Sequence, residues 1–112
     1  MPTSSVGNWI RAATVDNIKP GDGLPVAGTT PPIAVFRSED GEFFAVDDTC
    51  THQQSSLSEE GYVDGAMVVC GWHMAQFTLR TGEAAGYPAD EPLRCYPVEI
   101  RDGAVYVRAS VG

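Results

Sequence analysis

The strings Cys50-Thr51-His52 and Cys70-Gly71-Trp72-His73 each place one thiol and one imidazole within a few residues of each other. Seventeen residues, 53 to 69, separate the two strings. The chain has three cysteines and two histidines, so both histidines and two of the cysteines fall in these strings. Thiolate and imidazole are ligands that transition metals prefer. The sequence therefore predicts one metal site to which each string supplies one sulfur and one nitrogen.

Ligand type alone leaves the metal open, because a site of two sulfurs and two nitrogens suits zinc as well as iron–sulfur chemistry. Zinc ligand pairs usually lie two to four residues apart, whereas one residue separates Cys50 from His52. A nucleophilic Cys–His pair needs one residue of each type and would leave the second string unexplained. A lone Cys or His is usually a structural residue, but the repeated pairing argues against that interpretation.

The spacing C-x-H, seventeen residues, C-x-x-H resembles that of the Rieske family, whose 2Fe-2S cluster is held by two Cys on one iron and two His on the other. The resemblance covers roughly residues 33 to 108. Outside the ligand strings it includes Leu57-Ser58, Phe77, Thr81-Gly82 and Tyr87-Pro88-Ala89. It implies one Rieske-type [2Fe-2S] cluster as the cofactor, covered by a loop that contains Pro88.

The resemblance also implies a role for each ligand. Cys50 and Cys70 would bind the inner iron, and His52 and His73 would bind the outer iron. Because the outer iron lies nearer the surface in this family, the rims of the two His rings would be the exit for electrons. Trp72, between two ligands, would shield the cluster from water.

Length and composition indicate the fold class. A chain of 112 residues fits one domain with a single hydrophobic core, and 12 glycines with 8 prolines favour turns and strands over helices. We therefore expect residues 1–112 to form one all-β domain, with no helix longer than a turn or two. The resemblance adds the Rieske iron–sulfur fold, a small antiparallel β-sandwich with a loop-rich cluster-binding subdomain at about residues 47–90.

Two hairpins are predicted from turn dipeptides that tolerate positive φ. Asp40-Gly41 joins the strand-like segments Ile33–Ser38 and Glu42–Val46, and Arg101-Asp102-Gly103 joins Cys95–Ile100 to Ala104–Arg108. Further strands are predicted at Trp9–Ala12 and at Met67–Val69, the second of which would deliver Cys70. The third cysteine, Cys95, is interpreted as a packed core or strand residue.

Charge and hydropathy limit the partners. The formal net charge of −8 argues against nucleic acid and favours a basic protein partner. The N-terminal residues lack the basic start and apolar stretch of a secretory signal, and no run of 18 apolar residues occurs. We expect a cytoplasmic monomer that does not enter the membrane, in a compartment where thiols stay reduced.

Departures from the respiratory Rieske proteins indicate which group the chain resembles. Those proteins carry two more cysteines, linked by a disulfide, at the positions of Ser55 and Trp72, and a membrane anchor. They also carry a serine hydroxyl that bonds the cluster, where this chain has Met74-Ala75. Because hydrogen bonds to the cluster raise its potential, we expect the low end of the Rieske range, near about −150 mV.

The chain most resembles the ferredoxin component of bacterial aromatic ring-hydroxylating dioxygenases. That resemblance implies a soluble one-electron carrier, which catalyses no substrate reaction itself. It would accept electrons from a NAD(P)H-dependent flavoprotein ferredoxin reductase and pass them to the Rieske centre of a terminal oxygenase. Two alternatives stay open: a small Rieske-like subunit of a reductase such as nitrite reductase, and a zinc-stapled interaction module.

Overall fold

The computed structural model describes residues 9–29, 31–50, 56–71, 75–85 and 91–108. These residues contain ten β-strands and two short helical segments. The helical segments are a 3-10 turn at Val15–Asn17 and the α-helix α1 at Leu57–Glu60. The strands are β1 Trp9–Thr14, β2 Gly23–Val26, β3 Ile33–Arg37, β4 Phe43–Asp47, β5 Tyr62–Asp64, β6 Met67–Val69, β7 Gln76–Thr78, β8 Cys95–Tyr96, β9 Val98–Arg101 and β10 Ala104–Arg108.

The strands form three antiparallel sheets, which confirms the all-β prediction. The terminal sheet has the order β1-β10-β9, the central sheet β2-β3-β4-β8, and the loop sheet β5-β6-β7. Neither helical segment in the described part of the chain has the length and hydropathy of a membrane-spanning helix.

Both faces of the central sheet are buried, so the described residues form two core clusters instead of the single core expected from chain length. Side chains alternate across a strand. Ile33 and Val35 therefore join one cluster with Val105 of the terminal sheet. Ala34 and Phe36 face the opposite way and join the cluster that contains Phe77 of the loop sheet. The terminal and central sheets make the predicted sandwich. The loop sheet packs on the opposite face of the central sheet.

Both predicted hairpins are present. Gly41, in the turn between β3 and β4, has φ of +97°, and the pairing Arg37↔Phe43 places the two strands in register on either side of it. In the turn between β9 and β10, Asp102 and Gly103 have φ of +52° and +76°. Positive φ at both central residues suits the right-handed twist of the flanking strands.

The predicted strand Cys95–Ile100 is wrong as a single element. It divides into β8, which pairs with β4 of the central sheet, and β9, which pairs with β10 of the terminal sheet. Pro97 separates them, because it has no N–H to donate to a ladder. Cys95 is therefore a strand residue as predicted, but it is exposed and is not packed in the core.

Candidate metal centre

The structure brings the two predicted sulfur ligands into one buried cluster. Cys50 and Cys70 are both 0% exposed, and both pack in the cluster between the central sheet and the loop sheet. Strand β6 ends directly before Cys70, as the sequence predicted. The other two predicted ligands, His52 and His73, lie outside the described residues, as do Ser55, Trp72 and Pro88.

The first ligand loop, residues 50–55, is closed at its base by main-chain contacts. Thr49 and Ser56 form an isolated antiparallel bridge, and the Leu57 N–H donates to the carbonyl of Asp48 at 2.6 Å. The loop therefore leaves the end of β4 and returns at the start of α1. This closure fixes the position of Cys50, its first residue.

The second ligand loop, residues 71–74, lies at the end of a strand hairpin. The pair Val69↔Gln76 joins β6 to β7, and the N–H of Cys70 donates to the carbonyl of Ala75 at 2.7 Å. Four residues thus connect the two ends of a hydrogen-bonded pair, and His73 is one of them. The closed base fixes the position of Cys70, the residue that precedes this loop.

Helix α1 connects the first ligand loop to the second. Its Ser56 cap follows the first loop, and its last residue, Glu60, has a carbonyl oxygen so close to Gly71 that a Cβ there would overlap it. Glycine at position 71 is therefore required by space. Helix α1 therefore lies between the first ligand loop and Gly71 of the second.

Two adjacent carboxylates precede Cys50 and bond in different directions. Asp47 accepts the Tyr96 hydroxyl at 2.6 Å and the backbone N–H of Arg94 at 3.0 Å, and it forms an ion pair with the Arg94 side chain at 3.3 Å. Partial burial, then the hydrogen bond to Asp47, raises the pKa of Tyr96 to about 12. Asp48 is buried and accepts from Ser56 and Ser58 at the start of α1.

Neither α1 nor the two aspartates was predicted from the sequence. The helix did have a signal, since Ser56 and Glu59 match the S-x-x-E pattern of a helix N-terminus. The Ser56 hydroxyl accepts from the Glu59 N–H at 3.3 Å, as that pattern predicts. The aspartates had no comparable pattern, because their partners Tyr96 and Ser58 are defined only by the fold.

The segment 86–90, which contains Pro88, leaves from beside the second ligand loop. The Ala85 N–H donates to the carbonyl of Gln76 at 2.8 Å, so the chain runs along β7 up to that point. It returns at Leu93, whose N–H donates to the carbonyl of Gly82 at 2.7 Å. The residues on both sides of segment 86–90 are thus hydrogen-bonded to β7 and to Gly82, while the segment itself lies outside the described residues.

Cys50 and Cys70 fit an iron–sulfur cluster, which needs two thiolates shielded from water and, in this ligand pattern, one imidazole from each of the same two loops. Two fully buried sulfurs share one apolar cluster, and each stands at the base of a loop whose sequence supplies an imidazole. Within the described ranges, no three His, Cys, Asp or Glu side chains gather into a further metal site. This arrangement can keep water from the sulfurs while the imidazoles lie further along each loop.

Comparison with known proteins supports this chemistry. The model of the Rieske [2Fe-2S] domain matches residues 8–97. The biphenyl dioxygenase ferredoxin subunit of Pseudomonas sp. strain KKS102 is 45% identical over 99 residues, covering 88% of this chain and 90% of the relative. The 3-phenylpropionate/cinnamic acid dioxygenase ferredoxin subunit of Photorhabdus laumondii is 47% identical over 97 residues, covering 87% and 90%.

Solved structures show the same fold. The ferredoxin of Sphingomonas yanoikuyae B1 superposes with a TM-score of 0.82 at 36% identity, over 90% of this chain and 98% of that one. A chain in the complex of reduced oxygenase and oxidised ferredoxin of carbazole 1,9a-dioxygenase superposes with a TM-score of 0.80 at 36% identity, over 90% and 93%.

Proposed function

The chain belongs to the Rieske [2Fe-2S] domain family, and on that premise we propose that Cys50, His52, Cys70 and His73 bind its cluster. The burial of Cys50 and Cys70 in one apolar cluster is the observation that carries this assignment. The two thiolates would hold one iron of the cluster, and the two imidazoles would hold the other. The cluster-binding subdomain is residues 47–90 of a single domain, and it contains both ligand loops, α1 and the loop sheet.

The protein is a Rieske-type ferredoxin, an electron-transfer component of an aromatic-ring dioxygenase system. It takes single electrons from a NAD(P)H-dependent flavoprotein reductase and delivers them to the Rieske centre of a terminal oxygenase. The carbazole 1,9a-dioxygenase complex, in which a similar ferredoxin is bound to its oxygenase, supports the delivery step. We infer that the protein works in the cytoplasm, where thiols stay reduced and available to iron. We also infer that it is a monomer.

The cluster supplies one-electron oxidation and reduction when it is bound. The chain's own residues do the rest. The loop sheet and central sheet bury the two thiols and exclude water from them. The bridge Thr49↔Ser56 and the Cys70–Ala75 hydrogen bond fix the ends of the two ligand loops. The exposed acidic side chain of Glu59 on α1 adds to a surface that suits a basic partner.

Iron and sulfide analysis with electron paramagnetic resonance (EPR) spectroscopy of the purified protein tests the proposed ligands. We expect two irons and two sulfides per chain and a Rieske signal after reduction. His52→Ala and His73→Ala should each abolish that signal, whereas Cys95→Ser, the matched control outside the ligand set, should keep it. A colourless protein with stoichiometric zinc, or an unchanged signal in either His variant, would overturn the assignment.

A reconstituted electron-transfer chain tests the proposed partners. The holoprotein should be reduced by a dioxygenase-system flavoprotein reductase with NADH or NADPH and reoxidised by the partner oxygenase. Stopped-flow absorbance follows both steps. Failure of a fully loaded protein to exchange electrons with either partner would overturn the carrier role.

A further inference from the structure

We propose that Asp48 is a positioning residue that fixes the first ligand loop and lowers the reduction potential of the site through its buried charge. This inference rests on the proposed function, since it concerns the loop assigned to Cys50 and His52. It adds a residue that binds no iron and that the ligand spacing does not identify.

The contacts of Asp48 close the loop through both main chain and side chain. Its carbonyl accepts the Leu57 N–H at 2.6 Å. One carboxylate oxygen accepts the Ser58 N–H at 2.7 Å, and the other accepts the Ser56 hydroxyl at 2.8 Å. Three bonds therefore tie the residue two places before Cys50 to the first turn of α1. Losing them would release the loop at its base.

Asp48 also joins the loop to the rest of the fold. Its own N–H donates to the carbonyl of Pro32 at 3.0 Å, directly before β3 of the central sheet. At the other end of α1, the carbonyl of Glu60 packs against Gly71 in the second ligand loop. The path from Asp48 through α1 to Gly71 thus sets the separation of the two loops.

The Asp48 carboxylate is held by an N–H and an O–H donor and not by a Lys or Arg of the described residues. Asp48 is 7% exposed, and its partners donate to both oxygens. The ion pairs among the described residues are Arg80–Glu42, Arg94–Asp47 and Arg101–Glu99, and none includes Asp48. Its neighbour Asp47, by contrast, is paired with Arg94.

A buried negative charge opposes reduction, because reduction adds an electron to the site. Two residues of chain span at most about 7 Å, so the Asp48 backbone lies within that distance of Cys50. Because Asp48 is buried, repulsion between its carboxylate and the site is screened less than repulsion between exposed groups. Asp48 therefore lowers the potential, which is also the expected effect of having Met74-Ala75 in place of the serine hydroxyl.

Redox titration of Asp48→Asn tests the charge. Asn keeps an oxygen for the Ser58 N–H and removes the charge, so the midpoint potential should shift in the positive direction with the Rieske EPR signal retained. Asp16→Asn is the matched control, since it removes one charge from an exposed side chain in the 3-10 turn after β1, and it should leave the midpoint unchanged. A loaded Asp48→Asn protein with the wild-type midpoint would overturn the proposal.

Ser56→Ala tests the same point without removing the carboxylate. It deletes one donor to Asp48, so the midpoint should shift in the negative direction, opposite to that of Asp48→Asn. If Asp48→Asn does not load its cluster, Ser56→Ala still tests the proposal. A midpoint equal to that of wild type, or a shift in the positive direction, would contradict the role of the charge. Failure of the proposed function would instead appear in the wild-type protein, as the absence of a Rieske spectrum.

Discussion

The backbone N–H of Cys70 donates to the carbonyl of Ala75 at 2.7 Å, and both residues are fully buried. The second ligand loop is therefore a four-residue connection with a closed base. The sequence resemblance implies that Met74-Ala75 replaces the serine hydroxyl of the respiratory Rieske proteins, and Ala75 is the described residue of that pair. Position 75 is thus a fixed point from which a new donor could reach the site.

Restoring that donor should raise the reduction potential. We expect the wild-type midpoint near about −150 mV and that of Ala75→Ser higher. A hydrogen bond worth about 1 kcal/mol corresponds to about 40 mV for one electron. Protein-film voltammetry measures both. Ala13→Ser, a buried change in the other core cluster, is the control and should not move the midpoint. Equal shifts in both variants would show that the effect is not local.

Gly71→Ala should impair cluster loading. A Cβ at position 71 overlaps the carbonyl of Glu60, and backbone cannot move aside as a flexible side chain would. Gly65→Ala adds the same methyl group where no atom lies within 4 Å, although its φ of +65° costs about 1 kcal/mol. We expect Gly65→Ala to keep full iron content and to lose about 4 °C in Tm. Iron content of Gly71→Ala equal to that of wild type would contradict the packing argument.

Local chemistry explains which parts of the fold the sequence could predict. The turns at Gly41 and Gly103 need positive φ, and the Asp-Gly dipeptides that supply it are recognisable in the sequence. Strand β2 gave no such signal, because it contains Gly23 and Pro25. Proline is tolerated there only because β2 is an edge strand, and edge position is a property of the assembled sheet.

In the candidate site, too, some residues could be predicted from the sequence and others could not. The two thiols were predicted from spacing, and the structure buries them together. Asp48, which closes the first ligand loop, and Asp47, which bonds Tyr96, were not predicted, because their partners are defined by α1 or lie far away in sequence. Spacing along the chain identifies ligands, whereas support for the ligands depends on contacts made in three dimensions.

Stability should fall at high pH through Tyr96. Its pKa is about 12 in the folded protein, against an ordinary value of 10. Because the folded state holds the phenol proton more tightly, the contribution of Tyr96 is complete below pH 10 and is lost as pH rises toward 12. Urea unfolding between pH 9 and 12 should show a steeper loss for wild type than for Tyr96→Phe. Parallel curves for the two proteins would contradict the hydrogen bond to Asp47.

Alkylation of the loaded protein should modify one thiol, that of Cys95. The chain has three cysteines, two of them fully buried proposed ligands, whereas Cys95 is exposed. Partial burial of the sulfur, then the charge of Asp47, raises the pKa of the Cys95 thiol, so its reaction with iodoacetamide should need a higher pH than that of an ordinary thiol.

Mass spectrometry counts the modified sites in this experiment. Cys95→Ser should take up no label while the cluster is bound, and two labels after the cluster is removed under denaturing conditions. Two or more labels on the loaded wild-type protein would mean that Cys50 or Cys70 is not held by iron. Because the count depends on which thiols react and not on electron transfer, it tests the sulfur ligands independently of the redox partners.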